Sequence, residues 1–395
     1  MSQYLLINRI RVQDANAIAG FPWAFPGITH FLGFTHNLSR KLRGHVDFSD
    51  IQLSGCAVIS HRHQVHTYGY NQFTQNRNPP YLKKHNKCET PPVIEEGKMN
   101  LEVSLVIACE GNIGNRKGAF IEWLDSTSKR QRLAGGTILD IATVDLFIID
   151  DGQNKGSLRT LIRRLLPGFI LQDRSKLLAK HFHALQVENP GAELFDAWLD
   201  FIALKQQARP VSDRINRYLV TQTELHPEGG QYRQLLELWQ LHLDKPYDQE
   251  KIPGQLKNHF ASLSKNAANT KLLAQWCDYC DPEEKTDAVW EYLKKTESGF
   301  LVPIMTGYKA ISQVYENHQV ANTRDNETNV CFVEAIHSIG EWQGIHRIKD
   351  EKILARSLWH YDATKKHWYL CKQSTDSDEY KLSETFQQNP DDDFL

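Results

Sequence analysis

Apolar positions along this chain fall into dense runs, alternating runs and helically spaced runs, and their order predicts the fold. Residues 4–12, YLLINRIRV, are rich in Leu and Ile and stop at the turn-like QDANA, which predicts a strand. After Pro22, Pro26 and Gly27, the residues Ile28, Phe31, Leu32, Leu38 and Leu42 fall near helical spacing, with Pro26 suited to a first helical turn. Residues 51–60, IQLSGCAVIS, read as a second strand. In 100–109, NLEVSLVIAC, the residues Leu101, Val103, Leu105 and Ile107 alternate onto one side, a third strand. Phe120, Ile121, Leu124 and Leu133 return to roughly helical spacing, and GGTILDIATVDLFIID supplies further strand material.

The order strand, helix, strand, strand, helix, strand predicts the α+β class, with a ferredoxin-like, RRM-like core in a two-layer sheet-and-helix body. A polar excursion, 61–96, separates the second and third strands. From 190 to 298 the texture changes: ELFDAWLDFIALKQQ, YRQLLELWQLHL and NTKLLAQWCDY read as successive amphipathic helices, a helical insertion. GFLVPIMTGYKAIS then returns to mixed apolar and turn character. The expected division is a core of 1–189 and 299–372, the insertion 190–298, and an acidic tail 373–395 that ends NPDDDFL and reads as a flexible end.

Charge changes this picture locally rather than globally. The formal net charge of −2 excludes a molecule that binds polyanions non-specifically over its whole surface. Between Asn154 and Lys180, however, Lys155, Arg159, Arg163, Arg164, Arg174, Lys176 and Lys180 face a single Asp173. No signal-peptide pattern opens the chain, and no apolar run approaches the roughly 20 residues of a membrane-spanning helix, so a cytoplasmic protein without membrane contact is expected. Seven scattered cysteines argue against a secreted disulfide framework. Cys277 and Cys280 form a lone C-x-x-C without the second ligand pair that a zinc site needs, so neither metal nor cofactor is expected.

The candidate chemistry is sparse. In SLRTLIRRLLPG, Leu158, Leu161, Ile162, Leu165 and Leu166 form a helical apolar stripe, which leaves Arg159, Arg163 and Arg164 off it. Those arginines are either a solvated helix end complementing its dipole or guanidinium forks aimed at phosphate. In QRLAGG, Arg132 precedes Gly135 and Gly136, a tight turn or a loop open to a phosphate, without a Walker or dinucleotide fingerprint. SHRHQVHTY places His61 and His63 on one strand face, with Arg62 between them and His66 and Tyr68 beyond. These are polar or RNA-facing side chains, or else the general base and partner of a metal-independent ribonuclease. Trp23, Tyr68 and Tyr70 lie in polar stretches where a ring could stack on a base, though packing is the commoner use. In 320–348, Arg324 and Asn326 serve an internal network or reach a base or phosphate.

Several of these segments, in this order, resemble one family. INRIRVQDANAI, GITHFLGFTHNL, NLEVSLVIA, RLAGGTIL, RRLLPGFIL, LVPIMTGYKAIS and NTRDNETNVCFVEAIHSIGEW are similar to the Cas5-type subunit of type I-F CRISPR (Csy) surveillance complexes. The resemblance covers residues 5–190 and 298–360. It implies a modified RNA-recognition fold without catalytic duty, which binds the 5′ handle of the guide RNA together with the large PAM-reading subunit. The terminal backbone subunit of the filament and target double-stranded DNA would lie nearby. It implies a thumb-like hairpin for the excursion after His61. It also raises the phosphate reading of Arg163 and Arg164, and it places Arg132, Gly135, Gly136 and Asn16 in loops able to touch the handle. Beside these stand His61, Arg62 and Arg324 as candidate RNA contacts. The rival readings are a metal-independent CRISPR endoribonuclease built on the 61–68 His/Tyr cluster and a purely structural scaffold subunit.

Overall fold

The computed structural model describes residues 2–68, 72–77, 81–83, 87–89, 93–149, 155–203, 205–293, 297–323, 325, 327–362 and 368–374. The class is α+β. Two compact units emerge, Met1–Phe201 with Ser298–Leu395, and Ile202–Glu297.

The first unit is organised by one ten-stranded antiparallel sheet. Its strands are β1 (Ser2–Asn16), β2 (Gln52–Val65), β3 (Lys98–Glu110), β4 (Arg132–Leu133), β5 (Gly136–Ile149), β6 (Phe169–Asp173), β7 (Leu301–Ala310), β8 (Val333–Gly344), β9 (Trp359–Asp362) and β10 (Trp368–Gln373). They lie in the order β6-β8-β7-β10-β9-β2-β3-β1-β5-β4. Within it, the first three long strands and β5 take the order β2-β3-β1-β5, joined through helix α1 (Ile28–Arg43) and helix α2 (Lys117–Lys129). β6 also pairs with β2, through Phe169 with Ser60 and Ile170 with Ile59. That second pairing closes β2, β9, β10, β7, β8 and β6 into a ring, which removes the free edge β6 would otherwise expose.

The dense apolar run at the start of β1 has a direct explanation. Leu5 and Ile7 bury among Phe31, Leu38, Phe120 and Leu124 of α1 and α2. Tyr4 and Leu6 point the other way, into a second core with Leu158, Leu161 and Leu165 of helix α3 (Lys155–Leu165) and with Ile345, Ile348 and Leu354. Successive side chains of a strand face opposite sides, so a strand covered on both reads as continuously apolar. The sheet is therefore covered on both faces here, and the two-layer expectation is corrected to three layers. Each fully buried leucine of α3 contributes roughly 1.5–3 kcal/mol of apolar burial. Leu166, expected in the same stripe, is exposed because α3 ends at Leu165.

β2 runs on through His61 to Val65, paired with β3 from Arg62 opposite Glu102 to Val65 opposite Met99. Residues 61–65 thus belong to the sheet. Beyond them, 67–68 pairs with 72–73, 74–77 with 93–96, and 81–83 with 87–89, as antiparallel ladders. Helix α4 (Ser175–Glu188) follows β6, and helix α5 (Leu194–Ile202) is tied to the first unit by Trp198, whose indole N–H donates to the Ser338 carbonyl at 3.0 Å. At the other end of the unit, Gln373 is a buried strand residue whose amide donates to the carbonyls of Leu171 and Ser357. Residues 375–395, most of the acidic tail, lie outside the described residues.

The second unit packs α6 (Asp213–Leu225), α7 (Gly230–Leu243), α8 (Gly254–Ser262) and α9 (Thr270–Cys280) around Trp239, Phe260, Trp276 and Tyr279. A two-stranded ribbon, Gln206–Pro210 with Ala288–Tyr292, joins them. Arg209 is buried there, held by Glu291 at 2.6 Å, the Tyr279 hydroxyl at 2.8 Å and the carbonyls of Leu243 and Lys245. A buried guanidinium is stable only when its donors are met this fully.

Candidate nucleic-acid interface

The stretch RRLLPGF leaves α3 through a segment that two side chains hold. Arg9, which sits at a bulge of β1 with φ of +49°, donates to the Leu166 carbonyl at 3.0 Å and pairs with Glu102 at 2.5 Å. His61 Nδ1 lies 2.7 Å from the Pro167 carbonyl, and a carbonyl only accepts, so Nδ1 carries the hydrogen. His61 Nε2 lies 2.7 Å from Oγ of Ser104, a fully buried hydroxyl that also meets Asn8 and the Arg9 amide. Burial lowers the His61 pKa from its ordinary value. Gly168 has no room for a side chain, because a Cβ would come within 2.4 Å of the Leu165 carbonyl and 3.0 Å of the His61 ring. With both ring nitrogens engaged, His61 acts as a strut between the sheet and this segment.

The strut aims Phe169 into a cleft of about 590 Å³. Trp23 and Phe25 come from the loop after β1, Phe300 and Trp342 from the start of β7 and from β8, and His61 and His63 from the end of β2. Phe25 and Trp342 meet edge to face at 4.9 Å, which fixes the inner wall. Trp23, Phe169 and Phe300 remain 41%, 54% and 68% exposed. An open cleft walled by aromatic rings and two imidazoles offers stacking surface to a flat unsaturated ring, a nucleobase above all.

A second concavity, about 440 Å³, lies beside β4. Thr29, Gly33, Asn37 and Lys41 of α1 form one wall, and Arg130, Gln131, Arg132 and Gly135 the other. Asn37 donates to Gln131 across it at 2.5 Å. The turn itself is a tight hairpin: Leu133 pairs with Gly136, while Ala134 and Gly135 adopt φ of +51° and +77°. Gly136 is required by packing, since a Cβ there would lie 2.5 Å from the Gln13 carbonyl. Gly135 faces open space. The Asn16 amide donates to the Ala134 carbonyl at 2.8 Å, and the Asn16 side chain is turned onto the backbone of Ile18. Asn16 and the RLAGG turn are thus brought together, and Asn16 shapes the loop rather than presenting its amide outward.

A model of the family described as CRISPR-associated protein (Cas_Csy2) matches residues 5–229 and 251–371. The chain belongs to the Csy2 family. It is 28% identical, over 376 residues and 91% of each chain, to the CRISPR-associated protein Csy2 of Pseudomonas aeruginosa (strain UCBPP-PA14). This makes it a Cas5-type subunit of the type I-F Csy complex. The family match is wider than the two blocks recognised by motif: it continues through α6, α8 and α9 of the second unit and omits only 230–250 between its segments.

The remaining sequence-selected residues of this Csy2-family chain are scattered. Arg164 pairs with Asp145 of β5 and lies 5.6 Å over the Phe147 ring. Arg163 is exposed at the end of α3. Arg62 is exposed on β2, between the two histidines that line the cleft. His66 lies 3.4 Å from Asp14, and Tyr68 is exposed. Arg324 and Asn326 lie outside the described residues, as does Tyr70. Cys277 and Cys280 are unbonded thiols, and no group of three or more His, Cys, Asp or Glu converges among the described residues. No helix among them is long and apolar enough to cross a membrane. Sequence reading found Trp23 but missed Phe25, Phe169, Phe300 and Trp342. Phe169 directly follows the arginine motif, and Phe300 and Trp342 lie in the segments GFLVPIMTGYKAIS and GEW, so adjacency to those motifs was the available signal.

Proposed function

We propose that this protein holds the 5′ handle of the guide RNA in the type I-F Csy complex, together with the large PAM-reading subunit and beside the terminal backbone subunit, and that it breaks no bond in the RNA. The observation that carries this reading is the aromatic cleft at the end of β2, where the chain leaves the sheet for the rest of the 61–96 excursion. Unstacked bases of a single strand seek ring faces, and each stacked base is worth roughly 1–3 kcal/mol. The strand order β2-β3-β1-β5 supports a ferredoxin-like, RRM-like core, with the excursion as its thumb and residues 202–297 as a helical insertion. In this reading His63 and Arg62 meet the RNA at the rim, Arg163 contributes phosphate contact, and His61 and Asn16 shape the walls.

The strut geometry of His61 also supports binding without cleavage. A general base needs a ring nitrogen free to take a proton from the 2′-hydroxyl, and both nitrogens of His61 are occupied. The test is co-expression with guide RNA and the partner subunits, followed by photo-crosslinking from a handle carrying a reactive base. Adducts on Trp23, Phe169 or Phe300 are expected. Adducts on the partner subunits alone favour the scaffold reading. Handle-specific cleavage in EDTA by the purified protein, lost on His61→Ala, overturns the non-catalytic one.

A further inference from the structure

The groove between α1 and the 130–135 turn carries positive charge, and the far end of the same chain carries negative charge to match it. Among the described residues, Lys41, Arg130 and Arg132 have no carboxylate at ion-pair distance, and no Asp or Glu lines the groove. Arg130 donates one guanidinium N–H to the Ser126 hydroxyl at 2.6 Å, which leaves most of its five donors for another group. His30 adds no charge near neutral pH, because burial lowers its pKa. A Cβ on Gly33 or Gly135 would meet nothing within 4 Å, so the floor is open to an extended chain. Residues 375–395, which lie outside the described residues, hold seven carboxylate side chains against the single Lys381, three of them in the run Asp391–Asp393. The stretch matched by the family model stops at 371, so this acidic segment lies beyond it.

The strand that leads into the segment packs beside the helix that walls the groove. Tyr369 of β10, with Tyr361 of β9, lines a cavity of about 50 Å³ against Leu32, Thr35 and Ser39 of α1. Thr29, Gly33, Asn37 and Lys41, on a neighbouring face of that helix, line the groove. A helix with its side chains is about 10–12 Å across, so roughly one helix diameter separates Tyr369 from the groove. β10 ends soon after, at Gln373. From there a coil the length of 375–395 reaches about 25 Å on average and about 70 Å at full stretch. Tethering makes the contact intramolecular, at an effective concentration on the order of millimolar. We propose that the acidic segment 375–395 docks in the cationic groove of its own chain, with Asp391–Asp393 against Lys41, Arg130 and Arg132. Any other polyanion then enters the groove only by displacing the segment.

The test uses the full chain, dilute and at low salt, with a photo-reactive benzophenone on the ring of Phe394. Irradiation is expected to join Phe394 to residues 29–41 or 130–135 of the same molecule, with a yield that falls severalfold as salt screens the charges. Lys41→Ala with Arg130→Ala, two exposed positions, is expected to lower the yield severalfold, and so is Gly33→Glu, which sets a carboxylate in the open floor. Crosslinks confined to another surface or formed only between copies overturn the proposal, as does a yield indifferent to both variants. A second measurement reads displacement. Asp391→Asn with Asp392→Asn and Asp393→Asn is expected to raise the affinity of the full chain for inorganic polyphosphate severalfold, and to change nothing once Lys41 and Arg130 are replaced. An equal gain in both backgrounds overturns the proposal, because the segment would then repel polyanions without occupying the groove.

Discussion

The aromatic cleft and the cationic groove flank the same short segment after β1, and they share almost no chemistry. Ala17 lines the cleft, and its neighbour Asn16 is bonded to Ala134, which lines the groove. One is walled by rings, the other by guanidinium and ammonium groups around two glycines. Stacking is short-ranged and nearly insensitive to salt, whereas phosphate contacts weaken linearly on a log–log salt axis. Two adjacent concavities of one subunit therefore offer a ligand different physics, and ionic strength alone tells them apart.

The largest effect that sharpens this contrast is expected from the rings. Trp23→Ala with Phe169→Ala should weaken guide binding by about 2–6 kcal/mol, the loss of two stacking platforms, while the salt slope stays the same. A changed slope with unchanged affinity, measured by filter binding, would mean that the cleft works by charge and would break the comparison. Next in size is Gly136→Val, whose side chain would drive into the Gln13 backbone. Overpacking should cost about 1–3 kcal/mol of stability, seen as a lower thermal midpoint. Gly135→Ala, in open space, is expected to cost only the left-handed backbone strain of about 1–2 kcal/mol and to leave Asn16 in place.

Smaller still is the difference between the paired arginines. Arg164→Ala removes an ion pair whose side chains are 41% and 30% exposed, so stability should fall by less than about 1 kcal/mol. Arg163→Ala should leave the thermal midpoint unchanged and reduce guide affinity, with a salt slope lower by about 0.9. The smallest effect is that of pH. Burial depresses the folded pKa of His61, so its contribution to stability is fully present above the unfolded value of about 6.5 and is lost as pH falls through the depressed one. Chemical denaturation across this window should show that decline, and His61→Gln should flatten it.

How far the sequence reaches can be read from these same residues. The apolar period placed β1, α1, β3, α2 and α3 because buried faces recur every two or every 3.6 residues. It misjudged the layers, because a strand covered on both faces has no alternation to read. Arg163 and Arg164 are indistinguishable as neighbours in a motif. They differ because Asp145, nineteen residues earlier on β5, stands beside one of them.

What the chain determined by itself was local: its elements, its α+β class, its basic stretch, and the motif order that resembles a Csy complex subunit. Only tertiary structure decided which charges stay available and which rings share a cleft. Trp23, Phe169, Phe300 and Trp342 meet because β6 pairs with both β2 and β8 and closes the ring of strands. Periodicity records the surroundings of one element, whereas a binding surface is assembled from positions hundreds of residues apart, and no local pattern carries their distance.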